Sequence, residues 1–341
     1  MIIRIQYLRG VAALMVAVFH AFELLERQSG LANPFKVGAL GVDIFFVISG
    51  FIIFVAAEKS DPTPATFMLR RILRIVPLYW TLTLLIAAVS LARPDLLAST
   101  VFDPLHLLAS LLFLPMAHPT LGEMFPVLVP GWTLNYEMAF YLLMALALLA
   151  PRAVRPWIVL AMLAALVGLG SLGLPLPTFY TQSIILEFGL GLLIGMAYRW
   201  GWRVDGGIGI ALMLLGFLAL VWLEPTDLSR VVKAGLPSML IVGGAALGRR
   251  AAGRAAQPAL LLLGDASFSL YLTQAIVLPA FAKAWTLSGL PLTLAAGLPF
   301  VAVSSAVAAL AGIVCYRALE KPLLDLSARM PKRPKPSVST W

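Results

Sequence analysis

The sequence predicts an all-α membrane protein, a bundle of about ten transmembrane helices with one short re-entrant or interfacial helix in the longest outer loop. Three observations predict it. Of 341 residues, 61% are hydrophobic and only 12% charged, about half the charged share of a soluble domain. The apolar residues gather in runs of about 20, the length that crosses ~30 Å of hydrocarbon. The basic residues also alternate between loops as the positive-inside rule requires: with a cytoplasmic N-terminus, 19 of the 25 Lys and Arg fall inside. A wrong span count would scramble that alternation from the error onward, so both termini are expected in the cytoplasm.

The spans follow in order. The first, 7–26, contains Arg9 and, eleven residues later, His20, which are ~16 Å apart along a helix axis and ~20° apart in azimuth. They share one face. The second, 37–57, places Asp43 ~9 Å below the outer surface. Before the third, 75–92, stands RRILR, where Arg71 and Arg74 project from neighbouring positions of one helical face. Residues 93–131 form the longest outer connection, and within them the apolar stretch 105–114 is too short to cross. The fourth span, 132–150, carries Glu137 at a shallow outer depth. The remaining spans are 156–172, 180–198 with Glu187, 207–223, 232–248, 259–282 and 294–317. Residues 1–325 therefore make one membrane domain, and 326–341 a basic, proline-containing tail expected to be disordered in the cytoplasm.

Several function classes fall away. The net charge of +9 is scattered between apolar runs and reads as topology rather than as a nucleic-acid surface. The single cysteine, Cys315, allows no disulfide framework. Residues 1 to 25 lack a small-residue cleavage site, so the first span is expected to stay. No zinc spacing, Gly-rich phosphate loop or Ser-His-Asp order stands out, and no metal is expected.

Ionisable groups inside spans are functional candidates by default. Depth alone allows His20, Asp43 and Glu137 to meet in the outer half of the membrane, with His20 as a base and either carboxylate fixing its tautomer. Arg9, Arg71 and Arg74 suit an anion at the inner mouth, because guanidinium forks match phosphate oxygens. That arrangement fits a long thioester donor such as acetyl-CoA, its phosphates inside and its acyl carbon beside His20. Each residue has a plainer reading. His20 can be a buried, satisfied histidine, Asp43 a helix-end partner, and the arginines positive-inside anchors. Trp132 is either an interfacial belt residue or a platform for a sugar ring. Ser49 and Gly50 read as close helix packing, and Glu320-Lys321-Pro322 as the end of the last span.

At these residues the chain resembles bacterial acyltransferase family three, membrane O-acyltransferases of surface polysaccharides, and most closely its exopolysaccharide-acetylating branch. Nearly the whole chain is covered: Arg9 and His20, GVDIFFVISGF at 41–51, RRILRIVPLYW, GWTLNYEMAF at 131–140, GDASFSLYLTQ at 264–274, and Glu320-Lys321-Pro322. The resemblance implies that His20 is the catalytic base and that the arginine pair handles coenzyme A. It also implies a multi-pass protein of the bacterial cytoplasmic membrane and a glycan acceptor, polyprenyl-linked at the outer face. A polysaccharide-synthesis machinery would be its partner. One departure stands out. A late helix motif that often ends in histidine ends here in Gln274, which can hydrogen-bond a sugar or the donor but cannot act as a base. The alternative is a transporter or flippase for a lipid-linked sugar, its intramembrane charges lining a path; a scaffold for a synthase complex is a weaker one.

Overall fold

A computed structural model describes residues 2–97, 100–173, 177–249, 256–290 and 294–328. Among them are thirteen α-helices, short 3₁₀ and π turns and a single isolated bridge between Val204 and Gly248. The helices are α1 (Ile3–Ser29), α2 (Gly41–Ser60), α3 (Pro64–Ala92), α4 (Pro104–Leu111), α5 (Trp132–Ala147), α6 (Arg155–Ser171) and α7 (Leu186–Arg199). After them come α8 (Gly206–Leu223), α9 (Leu236–Leu247), α10 (Pro258–Asp265), α11 (Ser267–Leu287), α12 (Leu294–Cys315) and α13 (Lys321–Ala328).

Every apolar run predicted as a span is helical, but the helices differ in reach. Among the described residues, five are long and apolar enough to cross a membrane, or six if α10 and α11, bent by 68° at their junction, count as one. Helices α5 and α7 have 16 and 14 residues and extend only ~21–24 Å. Apolar runs in the sequence continue through caps and 3₁₀ turns that add hydrophobicity without helical rise. Helix α3 departs the other way, starting eleven residues before its predicted span. Thr63 caps it by accepting from the Thr66 N–H, with Pro64 in the first turn, a favoured start. Arg70, Arg71 and Arg74 thus lie inside a helix rather than ahead of one. The tail prediction for 326–341 falls outside the described residues from 329 onward, while 326–328 still belong to α13.

Helix α2 is the centre of the bundle. It contributes both to the apolar cluster shared with α3, α5, α6 and α7 and to the one shared with α1 and α9. Its closest partner is α7. A Cβ on Gly50 would strike the Phe188 carbonyl, and one on Gly191 that of Val47, so two glycines set this contact. Phe188 stacks between Phe46 and Phe140, 4.7 and 4.5 Å away. Helix α8 lies at the periphery, with Leu214, Leu218 and Trp222 exposed, a face that suits lipid. The short helix predicted at 105–114 is α4. Tyr79 and Trp80 of α3 hold it by donating to the carbonyls of Ser110 and Leu111 at 3.1 and 2.9 Å, which makes it an ordered cap.

Candidate active site

A cavity of about 780 Å³ lies among α1, α2, α3, α5 and the α10–α11 bend. On α2 its wall runs from Val42 to Lys59, seventeen residues or ~26 Å of helix. Five basic side chains, Arg9, Lys59, Arg71, Arg74 and Arg199, and two carboxylates, Glu137 and Asp265, line it. The excess of positive charge favours an anionic guest.

The guanidinium groups are held loosely. Arg9 donates to Gln6 Oε1 at 3.5 Å, and Gln6 in turn donates to Asp265. Arg74 sits 3.4 Å from Glu320, a buried carboxylate whose other oxygen accepts from Ser269 Oγ at 2.6 Å. Arg71 makes no ion pair among the described residues; it lies near the rings of Phe67 and Tyr141, 5.9 and 6.0 Å from their centroids, and its Nε has no acceptor. Such groups retain donors for phosphate oxygens.

Glu137 reaches the same chamber from α5, and one of its oxygens accepts from both Ser49 Oγ at 3.0 Å and Tyr141 OH at 2.5 Å. The structure therefore brings together Arg9, Arg71, Arg74 and Glu137, four of the residues singled out in the sequence. It also gives Ser49, assigned there to packing, a polar contact in the chamber, while Gly50 keeps the packing role.

The expected meeting of His20, Asp43 and Glu137 does not occur. His20 Nδ1 is 2.7 Å from Glu23 Oε2, one turn on along α1, and 41% of its side chain is exposed. Because a carboxylate only accepts, a neutral imidazole here carries its proton on Nδ1, and Nε2 makes no hydrogen bond among the described residues. Asp43, fully buried, receives two hydrogen bonds from Arg230 at 2.8 and 3.0 Å. Buried Glu187 lies against that pair. Arg230 belongs to the connection between α8 and α9, 187 residues from Asp43, a proximity that depth arguments do not contain. His20 is not among the chamber's lining residues. On α1 the lining stops at Arg9, eleven residues or ~16 Å of helix before His20; between them Ala12 and Val16 pack on Gly41 at the start of α2.

Trp132 packs edge-on to Phe46 and Tyr136, with the Arg230 guanidinium 5.8 Å from its ring centroid. Gln274 is 1% exposed, and neither amide atom has a hydrogen-bond partner among the described residues, an arrangement that leaves it open to a guest.

Clusters of titratable side chains also occur away from the chamber's lining residues. Hydrogen bonds from Arg152 and Arg155 hold the Asp61 carboxyl down at about 2, fastening the α2–α3 turn to the α5–α6 connection. In the connection between α4 and α5, burial first and neighbouring His106 second push His118 below the usual imidazole range. Among the described residues no group of three or more His, Cys, Asp or Glu is placed to hold a metal.

Comparison with known proteins places this geometry. Residues 2–317 match the family model described as an acyltransferase domain. The chain is 39% identical over 315 residues to the exopolysaccharide production protein ExoZ of Rhizobium meliloti (strain 1021), covering 90% of this chain and 94% of that protein. It is 30% identical to the acyltransferase MdmB of Streptomyces mycarofaciens, over 94% of this chain and 91% of that one. No solved structure matches it.

Proposed function

The chain belongs to this acyltransferase family, and from that premise we propose that it moves an acetyl group from cytoplasmic acetyl-CoA to a hydroxyl of an exopolysaccharide unit at the outer face of the bacterial cytoplasmic membrane. It is a membrane acyltransferase with several apolar helices; the ten-span path and the cytoplasmic placement of both termini belong to the proposal. One observation carries the reading: a chamber lined by five basic side chains extends ~26 Å along α2, room for a phosphate-bearing donor with a long thin arm.

In this reading the donor phosphates bind Arg9, Arg71 and Arg74, and the thin pantetheine arm follows α2 past Ser49 and Glu137. His20 Nε2 takes the proton of the acceptor hydroxyl, and the hydroxyl oxygen attacks the thioester carbon. The carbon–sulfur bond then breaks, and the departing thiolate receives the proton from the imidazolium. Glu23, bonded to Nδ1, orients the ring and stabilises its charged form, a role earlier given to Asp43 or Glu137. For acyl carbon and imidazole to meet, the packing between the chamber and His20 opens as the arm enters. Asp43 keeps Arg230 in place, Glu137 with Ser49 and Tyr141 contacts the arm, and Trp132 and Gln274 border the acceptor. The synthesis machinery for the glycan supplies the acceptor.

The test is transfer of label from acetyl-CoA to a glycan by purified protein in lipid nanodiscs. Label on the glycan, lost in His20→Ala with donor binding retained, is the expected result. Donor binding without label on any glycan hydroxyl would overturn the assignment.

A further inference from the structure

Helix α5 has two working faces. Leu134, Glu137 and Tyr141 face the chamber, whereas Asn135, Met138, Ala139 and Leu142 border a second cavity, a groove of about 370 Å³ against α6 and the residues that follow α4. At 100° per residue the two sets are centred ~120° apart around the helix. Leu112 and Leu142 at the groove are 55% and 54% exposed, so in a bilayer it opens sideways to lipid.

The groove is mostly apolar; besides Asn135 its polar lining residues are Tyr180 and Thr181, whose hydroxyls donate to the carbonyls of Phe113 and Thr178. Asn135 is 1% exposed, and neither its amide nitrogen nor its oxygen has a hydrogen-bond partner among the described residues. A buried carboxamide using neither donor nor acceptor is unusual in a folded protein and calls for a ligand. Asn135 lies three residues from Trp132, where α5 begins, and Leu142 seven residues further along, ~10 Å deeper. Polar group near the helix start and hydrocarbon surface below it is the profile of a site for an amphiphile.

We propose that the groove seats the hydrocarbon chain of a lipid-borne glycan acceptor, with Asn135 hydrogen-bonded to the first polar group of the carrier. This rests on the acyltransferase reading above and supplies what that reading lacks, the place where the acceptor docks. A molecule so seated has its sugar over the Trp132 end of α5, the helix whose other face carries Glu137 into the donor chamber. The donor and acceptor then share one wall.

The experiment uses the full chain in phosphatidylcholine nanodiscs and a polyprenyl phosphate carrying a photoactivatable diazirine on its chain. Cross-links are expected to concentrate at Met138 and Leu142, to be displaced by excess polyprenyl-phosphate sugar, and to fall at least tenfold in Ala139→Trp, which fills the groove, and in Asn135→Leu, which removes the amide without changing its size much. Cross-links spread equally over the lipid-facing leucines of α8, or displaced equally well by added phosphatidylcholine, would mean ordinary lipid and overturn the proposal. Kinetics give a second arm. Both variants should raise KM at least tenfold for a polyprenyl-linked sugar and leave KM for acetyl-CoA and for the same sugar without its lipid unchanged; equal losses for both sugars would contradict the groove. Transfer to no sugar at all would speak against the acetyl-transfer reading, whereas the cross-link pattern alone decides the groove.

Discussion

The cation-lined chamber and the Asp43 cluster near its Val42 end both place charge inside a hydrophobic bundle, yet they treat it differently. In the chamber, Arg71 has no ion-pair partner among the described residues and Arg74 only a 3.4 Å approach to Glu320. In the Asp43 cluster the guanidinium of Arg230 is spent on both oxygens of one carboxylate. A charge satisfied within the fold holds helices in place, and one left with spare donors can bind something else. On that distinction Asp43 moves from catalysis to architecture. The free Nε2 of His20 stays on the functional side.

The comparison is open to four tests. His20→Ala should lower acetyl transfer by ~10²–10⁴-fold, the range of general base catalysis, with unchanged elution of the folded protein in detergent; Glu23→Gln should lower it less. Near-normal transfer by His20→Ala would leave the free nitrogen without a role. Arg230→Ala strands Asp43 and should cost about 3 kcal/mol of stability, the lower end for a broken buried pair, since Arg230 keeps 36% of its side chain exposed. Thermal unfolding measures it, and the KM for donor should not move. Arg71→Ala should do the reverse, raising KM for acetyl-CoA about tenfold, worth ~1.4 kcal/mol, with little change in melting; Arg71→Lys should recover only part, lacking the planar fork.

The smallest effect concerns Asp61. Its folded carboxyl is held at about 2 by Arg152 and Arg155, below the usual range of about 4 for an unfolded aspartate. The stabilisation is therefore complete above pH ~4 and fades as the pH falls towards 2. Because the pair is largely exposed, solvent screens most of it. Melting followed from pH 5 to pH 2.5 should show a shallow decline that Asp61→Asn removes.

Much of this was legible in the sequence, for local reasons. Hydrophobic runs located the helical segments, and proline before position 105 isolated α4. The three-residue spacing of Arg71 and Arg74 put both on the chamber wall. The Glu23 partner of His20 was also available, since residues three apart on a helix are neighbours. What escaped were contacts made by the packing of distant segments: Arg230 on Asp43, Glu320 on Arg74, and the 68° bend between α10 and α11. Periodicity reports which face of a helix is apolar, and depth reports how far a residue lies from a span end. Neither says which helices are neighbours. Helix ends were misjudged for a simpler reason, as hydropathy is blind to capping.

The most direct measurement is a cryo-electron microscopy structure with a non-transferable acetyl-CoA analogue bound. Its phosphates should lie on Arg9, Arg71 and Arg74, and its acyl carbon close enough to His20 Nε2, ~3–4 Å from the place of an acceptor oxygen, for a near-attack geometry. An acyl end that stops beside Ser49 and Glu137 would contradict transfer at His20.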